Sequence, residues 1–369
     1  MQGDKHKYYR QKFIPPMSRK NIDAQSDQIG NIAVAEVDRW PLHQTIDLRA
    51  YSRALLQNFA ISLLFGNDRE RGIPVAELTH QLYSYTADWR VWLFPVNISG
   101  TPYYQMLRDG ELLESRIVEW ANCKRGNYDS KDLLSIVTNS PNEKGAPLSD
   151  AEIAPHIPTL LGAAFETCHN TLIWTLVLLN QHPQIACDLL DELRERLAGA
   201  PPTLDRIGDL PLLDAVIKES MRILPPVPQQ FRVATKDTTL ANFPVRARTK
   251  VLTSSFLTNR DPDLYPEPDC FKPERWASIN PSSYEFSVFS AGPRACPGSW
   301  FAASVLKVAV AAIITRFHVA LAPNARIDYR VRLALGPSGV VPATLRRQDG
   351  AFAGTPIQGN IRNLIRFPN

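Results

Sequence analysis

Cysteine is scarce in this sequence. The five cysteines, Cys123, Cys168, Cys187, Cys270 and Cys296, are odd in number, far apart and without a CxxC pair. That excludes a disulfide framework and the usual zinc spacings, and it fits a reducing compartment. Charge of one sign is scarce too, with a formal net charge of +4 spread along 369 residues. The densest basic stretch, residues 5–20, is interleaved with Tyr8, Tyr9, Phe13 and Met17 and reads as a solvated helix face rather than a nucleic-acid arm. No secretory signal pattern opens the sequence, because residues 1–10 are polar and basic. Internal repeats, low-complexity tracts and evident linkers are lacking as well. The 30 prolines punctuate the chain without forming a tract. What remains is a composition of 44% hydrophobic and 21% charged residues, that of a soluble globular protein with enough chain for one large core. A cytoplasmic location and no nucleic-acid partner are the expectations.

One run raises the membrane question, "TLLGAAFETCHNTLIWTLVLLN" at 159–180. Glu166, His169 and Asn170 at its middle would each be costly in a bilayer, so it reads as a buried core helix with one polar spot that needs a reason. No membrane segment is expected. The polar stretch 138–152 ends in a capping box, Ser149 with Glu152, which predicts a core helix over about 150–181. Helical spacing also appears at 46–66, 75–90, 106–125, 182–199, 210–224 and from 299 onward. Strand character is confined to short runs at 249–256, 317–322 and 330–336. The expected fold is mainly α with small β-sheets, as a single domain over 1–369.

The stretch "FSAGPRACPG", 289–298, concentrates glycine, proline, arginine and cysteine. Gly292 and Gly298 permit close backbone approach, and Pro293 and Pro297 stiffen the loop. Arg294 puts a cation near the Cys296 sulfur, and the helix that follows presents its positive end to an anionic sulfur. A lone cysteine before a helix is ordinarily structural. Here the full spacing of Phe289, Gly292, Arg294, Cys296 and Gly298 resembles the haem-ligand loop of the cytochrome P450 family.

Further stretches are similar to that family in the family's own order. Glu219 and Arg222 share a helix face, and with Arg275 of "KPERW" they resemble its buried Glu–Arg–Arg triad, a structural role. "AAFETC", 163–168, resembles its oxygen-activating signature, with Ala164 where the family usually has glycine. The resemblance implies that Thr167 holds oxygen or water and that Glu166 relays protons; a helical threonine bonding back to a carbonyl is the ordinary alternative. It implies Cys296 as the iron ligand of haem b, with Arg294, Arg232, His6 and Arg10 as cations for the propionates. Leu160, Ala163, Ala164, Val227 and Gln229 are the substrate-pocket candidates, largely apolar in character.

What the resemblance implies is an N-terminally shortened cytochrome P450-like fold, because about one hundred residues usually precede the His-x-x-x-Arg helix in the family. The implied activity is a haem-thiolate monooxygenase that inserts one atom of dioxygen into an apolar organic substrate. Electrons would come from a separate ferredoxin, flavodoxin or flavoprotein reductase. Two other readings stand beside it. One is a non-catalytic relative, favoured by the shortening and by Ala164. The other is a haem-thiolate enzyme doing peroxide-driven or isomerising chemistry.

Overall fold

The computed structural model describes residues 3–66, 68–332 and 334–368. It is about 54% helical with small antiparallel sheets, which bears out the mainly α reading.

Caps decide where the helices begin. Asp47 accepts from the Arg49 N–H to open Leu48–Phe65, and Gly66, at φ 74°, ends it. Asp68 opens Arg69–Tyr85 and Thr101 opens Pro102–Lys124. Both helices start earlier than their apolar periodicity predicts, because the capping side chain and not the first apolar residue sets the start. The helix expected to reach residue 90 stops at Tyr85, and Asp88 opens a separate turn, Trp89–Leu93.

The core helix needs a correction. The capping box of Ser149 and Glu152 holds only Asp150–Ile153, the chain turns, and the long helix runs Ile157–Gln181. Pro155 and Pro158 explain the break. Neither has an N–H to donate, and Pro158 is suited to the first turn of a new helix. From Cys168 to Asn180 every residue of this helix is buried, whereas 163–167 are not. It packs against Leu48–Phe65, Arg69–Tyr85, Pro211–Ile223 and Ser299–Arg316. The last of these is the one helix among the described residues that is long and apolar enough to cross a membrane, and 67% of it is buried inside the protein.

Nine short strands are described: β1 (Thr45–Asp47), β2 (Gln230–Val233), β3 (Thr238–Leu240), β4 (Phe243–Val245), β5 (Lys250–Thr253), β6 (Phe317–Leu321), β7 (Tyr329–Val331), β8 (Leu335–Pro337) and β9 (Pro342–Arg347). The order β1-β9-β6 forms one sheet; β2 pairs β5, β3 pairs β4 and β7 pairs β8. The run expected as one strand over 330–336 is a hairpin, with Arg330 opposite Gly336. Its Leu333 lies outside the described residues. β1 shows that strand character is not confined to the C-terminal half; three residues are too few to display alternation in sequence.

Candidate active site

The polar residues singled out above fall in three groups, on Pro211–Ile223, in the cysteine loop and on the core helix. The first is fully buried. Glu219 and Arg222, on Pro211–Ile223, are 0% exposed, and Arg275 is 9% exposed. Arg222 grips Glu219 with two parallel hydrogen bonds of 2.9 Å, from Nε to Oε2 and from Nη2 to Oε1. Arg275 Nε donates to Oε1 at 3.1 Å. The sequence reading missed two further donors, the Lys272 backbone N–H at 3.0 Å and Trp276 Nε1 at 3.0 Å, although both lie in the quoted "KPERW" string. Arg222 Nη1 also donates to the carbonyls of Asn259 and Pro268, each at 2.8 Å. The triad thus ties its helix to the chain that leads to the cysteine loop.

That loop is closed by its own backbone. The Cys296 N–H donates to the Phe289 carbonyl at 2.7 Å, and the Ala295 N–H to the Gly292 carbonyl at 3.0 Å. Gly292 sits at φ 67°, a conformation that side-chain-bearing residues rarely adopt, and Ser290 at φ 58° shares the strain. Gly298 caps the helix Ser299–Arg316, so Cys296 lies just ahead of its positive end. The thiol has exposed surface, yet the protein packed around it shields it from solvent and pushes its pKa up. The Gly298 N–H and the Arg10 charge oppose that shift.

Arg10 stands closer to the sulfur than the sequence suggests. Its Nη2 donates to the Ala295 carbonyl at 2.7 Å, across 285 residues of sequence. The helix Gly3–Phe13 therefore packs its His-x-x-x-Arg face on the cysteine loop. His6 feels both Arg294 and Arg10, which together with desolvation, the largest cause, lower its pKa. Arg10 is thus a cation that opposes the rise of the Cys296 pKa, beside the Arg294 to which the sequence pointed. Arg232 is exposed on β2, with its donors on the Phe231 carbonyl and Gln230 Oε1. Gln230 Oε1 also accepts from Ser290 Oγ at 3.3 Å, so β2 abuts the loop.

On the core helix, Thr167 Oγ1 donates to the Ala163 carbonyl at 2.8 Å, and the helix is continuous through Ala164. Cys168 is buried, its thiol pushed up to about 12 by desolvation, with the nearby Cys296 sulfur adding to the rise. Leu160, Ala163 and Ala164 are partly or fully exposed here, as are Val227 and Gln229 in the chain before β2. Glu166, one residue before Thr167, faces a separate cavity of about 490 Å³ that none of these five lines. Arg49, Arg53, His80, Arg330 and Arg332 share that cavity with it. They come from three separate elements and carry no sequence signature, so the sequence reading did not find them.

The donor set suits a haem: a thiol with exposed surface at the end of a rigid loop, and cations on the first helix and on the loop beside it. Comparison with known proteins agrees. The chain belongs to the cytochrome P450 family, whose pattern it matches over residues 1–339. This is a family of haem- and iron-binding oxidoreductases. A similar protein is the cyclooctat-9-en-7-ol 5-monooxygenase of Streptomyces melanosporofaciens, 28% identical over 335 residues, which are 87% of this chain and 72% of that one. The beta-amyrin 6-beta-monooxygenase of Solanum lycopersicum is 31% identical over 244 residues, 64% of this chain and 51% of that one. Pentalenene oxygenase of Streptomyces avermitilis is 31% identical over 236 residues, 63% and 51% of the two chains. The aligned part is thus about half the length of the last two relatives. In fold, the retinoic acid-bound cyanobacterial CYP120A1 matches with a TM-score of 0.82 at 24% identity, covering 94% of this chain and 80% of that one.

Proposed function

We propose that this chain is a haem-thiolate monooxygenase that inserts one atom of dioxygen into an apolar organic substrate, the other atom leaving as water. Two electrons and two protons complete that balance, the electrons coming from a separate ferredoxin, flavodoxin or flavoprotein reductase. The observation that carries the reading is Cys296, held at the end of a loop that its own N–H closes, just ahead of the positive end of the helix Ser299–Arg316. Cys296 would ligate iron through its sulfur, and Arg10, His6, Arg294 and Arg232 offer cations for the acidic groups of haem b. Haem, when bound, supplies the oxygen-activating chemistry.

The chain's own part is proton handling and shelter. Desolvation raises the Cys296 pKa, so holding iron would require the sulfur to give up its proton. Thr167 Oγ1 carries a proton on the partly exposed stretch of the core helix, and Glu166 beside it lines a polar cavity. The bond from Thr167 to Ala163, in a helix left continuous by Ala164, favours a second reading. In it the same haem-thiolate site runs peroxide-driven or isomerising chemistry, which needs no proton delivery from this helix.

The test is spectroscopic. Reduced protein under carbon monoxide should show the red-shifted Soret band of thiolate ligation, and Cys296→Ala should lose it. Retention of the band in the variant, or its absence from haem-loaded protein, overturns the assignment.

A further inference from the structure

The cavity that Glu166 lines has a wall of unusual charge. Arg49 and Arg53 reach it from Leu48–Phe65, and Arg330 and Arg332 from the β7–β8 hairpin. Among the described residues none of the four has a carboxylate within 4.0 Å. Among the described residues the acids on the wall are Glu166 and the exposed Glu77, so four arginines face two glutamates, an excess of two positive charges. Desolvation and Arg53 lower the His80 pKa, against Glu166. Burial and the neighbouring Arg49 also pull down the Arg53 pKa, against Glu166 and Asp47. Arg330 is depressed by burial and by Arg332 and Arg49. The Nε of Arg49 is buried and has no hydrogen-bond partner. Like charges held together with an unanswered donor are an unfavourable arrangement that an anion relieves.

The rest of the wall is mixed, with Gln57, Thr79, Gln81 and Asn170 among its polar side chains and an apolar patch beside them. Leu161, Phe165 and Ala334 line it together with Tyr83, whose ring lies directly on Gly162; a Cβ at Gly162 would come within 2.0 Å of that ring. A volume of about 490 Å³ is in the range of small-molecule pockets.

We propose that this cavity binds a small organic carboxylate, with the anionic group held by the guanidiniums of Arg53 and Arg330 and the apolar body against Phe165, Tyr83 and Leu161. The planar guanidinium fork matches a carboxylate in shape as well as charge. The acid is either the substrate or a separate effector. The binding claim stands on the cavity alone, and only its assignment as substrate rests on the monooxygenase reading.

Octanoate and 1-octanol titrated by calorimetry into the protein as isolated separate charge from tail. Octanoate should bind at least about tenfold more tightly than the alcohol. Arg53→Gln, Arg330→Gln and the double variant should lose that preference, and Arg53→Lys should keep part of it. Arg330→Gln, on the hairpin, serves if Arg53→Gln fails to fold. Equal affinity for acid and alcohol, or an undiminished preference in a natively folded double variant, overturns the proposal. In haem-loaded protein a spin-state shift of the Soret band with octanoate identifies the acid as substrate; binding without a shift identifies it as an effector. Failure to take up haem would sink the monooxygenase reading and leave the calorimetric result standing.

Discussion

Glu219 accepts five hydrogen bonds, from Arg222 twice, Arg275, Trp276 and the Lys272 backbone, and is 0% exposed. Glu166, on the neighbouring core helix, accepts none among the described residues and looks into a cavity whose arginines stand too far away to pair with it. The same side chain is saturated in one place and open in the other. A buried carboxylate with all its lone pairs answered has no capacity left for a substrate or a moving proton, so its worth is structural. A half-buried carboxylate among unpaired cations still has donors to gain, and so has the scope to act. The distinction also holds for the cations. Arg222 is spent on Glu219 and three carbonyls, while Arg53, which has no side-chain hydrogen bond among the described residues, lies over the face of Phe165 at 5.5 Å.

The largest effect should come from the saturated side. Glu219→Ala strands two buried guanidiniums and should cost on the order of 3–5 kcal/mol. Urea unfolding, or the yield of soluble protein, measures it; a variant that unfolds like the parent would dissolve the contrast.

Next comes His169, one turn beyond Glu166. Its Nε2 lies 2.9 Å from the Arg49 carbonyl and its Nδ1 is buried without a partner. Burial, followed by the charges of Arg53 and Arg49, lowers its pKa to about 3. The unfolded chain takes up a proton near pH 6.5 that the folded one refuses until about 3. Stability is therefore complete above about 6.5 and falls as pH drops toward 3, by up to about 1.4 kcal/mol per pH unit from this group. His169→Gln should flatten that limb of the stability–pH curve by one proton. A slope that does not change would mean the imidazole is charged in the fold.

The smallest stability effect belongs to Glu166→Gln, within about 0.5 kcal/mol of the parent. On the monooxygenase reading it should nonetheless divert electrons to peroxide, as should Thr167→Ala. The ratio of product formed to electrons consumed is the sharper measurement. A large stability loss with unchanged coupling would place Glu166 with Glu219 and break the comparison.

Much of this was legible in the chain itself. The cysteine loop is a short string whose glycine and proline positions dictate its backbone, and the loop does close on itself between Phe289 and Cys296. Glu219 and Arg222 share a helix face by spacing alone. Helix ends at Gly66 and the capping box at Ser149 are local chemistry, and so is the break at Pro155 and Pro158, visible in sequence but outweighed there by the apolar run that follows. Tertiary structure decided which distant groups meet. Arg10 opposes the rise of the Cys296 pKa, because a contact across 285 residues depends on how the first helix packs. β1 became a strand only because β9 lies beside it. The arginine wall draws on the helix Leu48–Phe65 and on a hairpin near the other end of the chain, and each of its arginines, read alone, is an ordinary surface cation. Caps, turns and helix faces are set by neighbours within four or five residues, so a sequence displays them. Which charges end up unpaired around a shared cavity depends on the packing of every element between them, and no local pattern carries that.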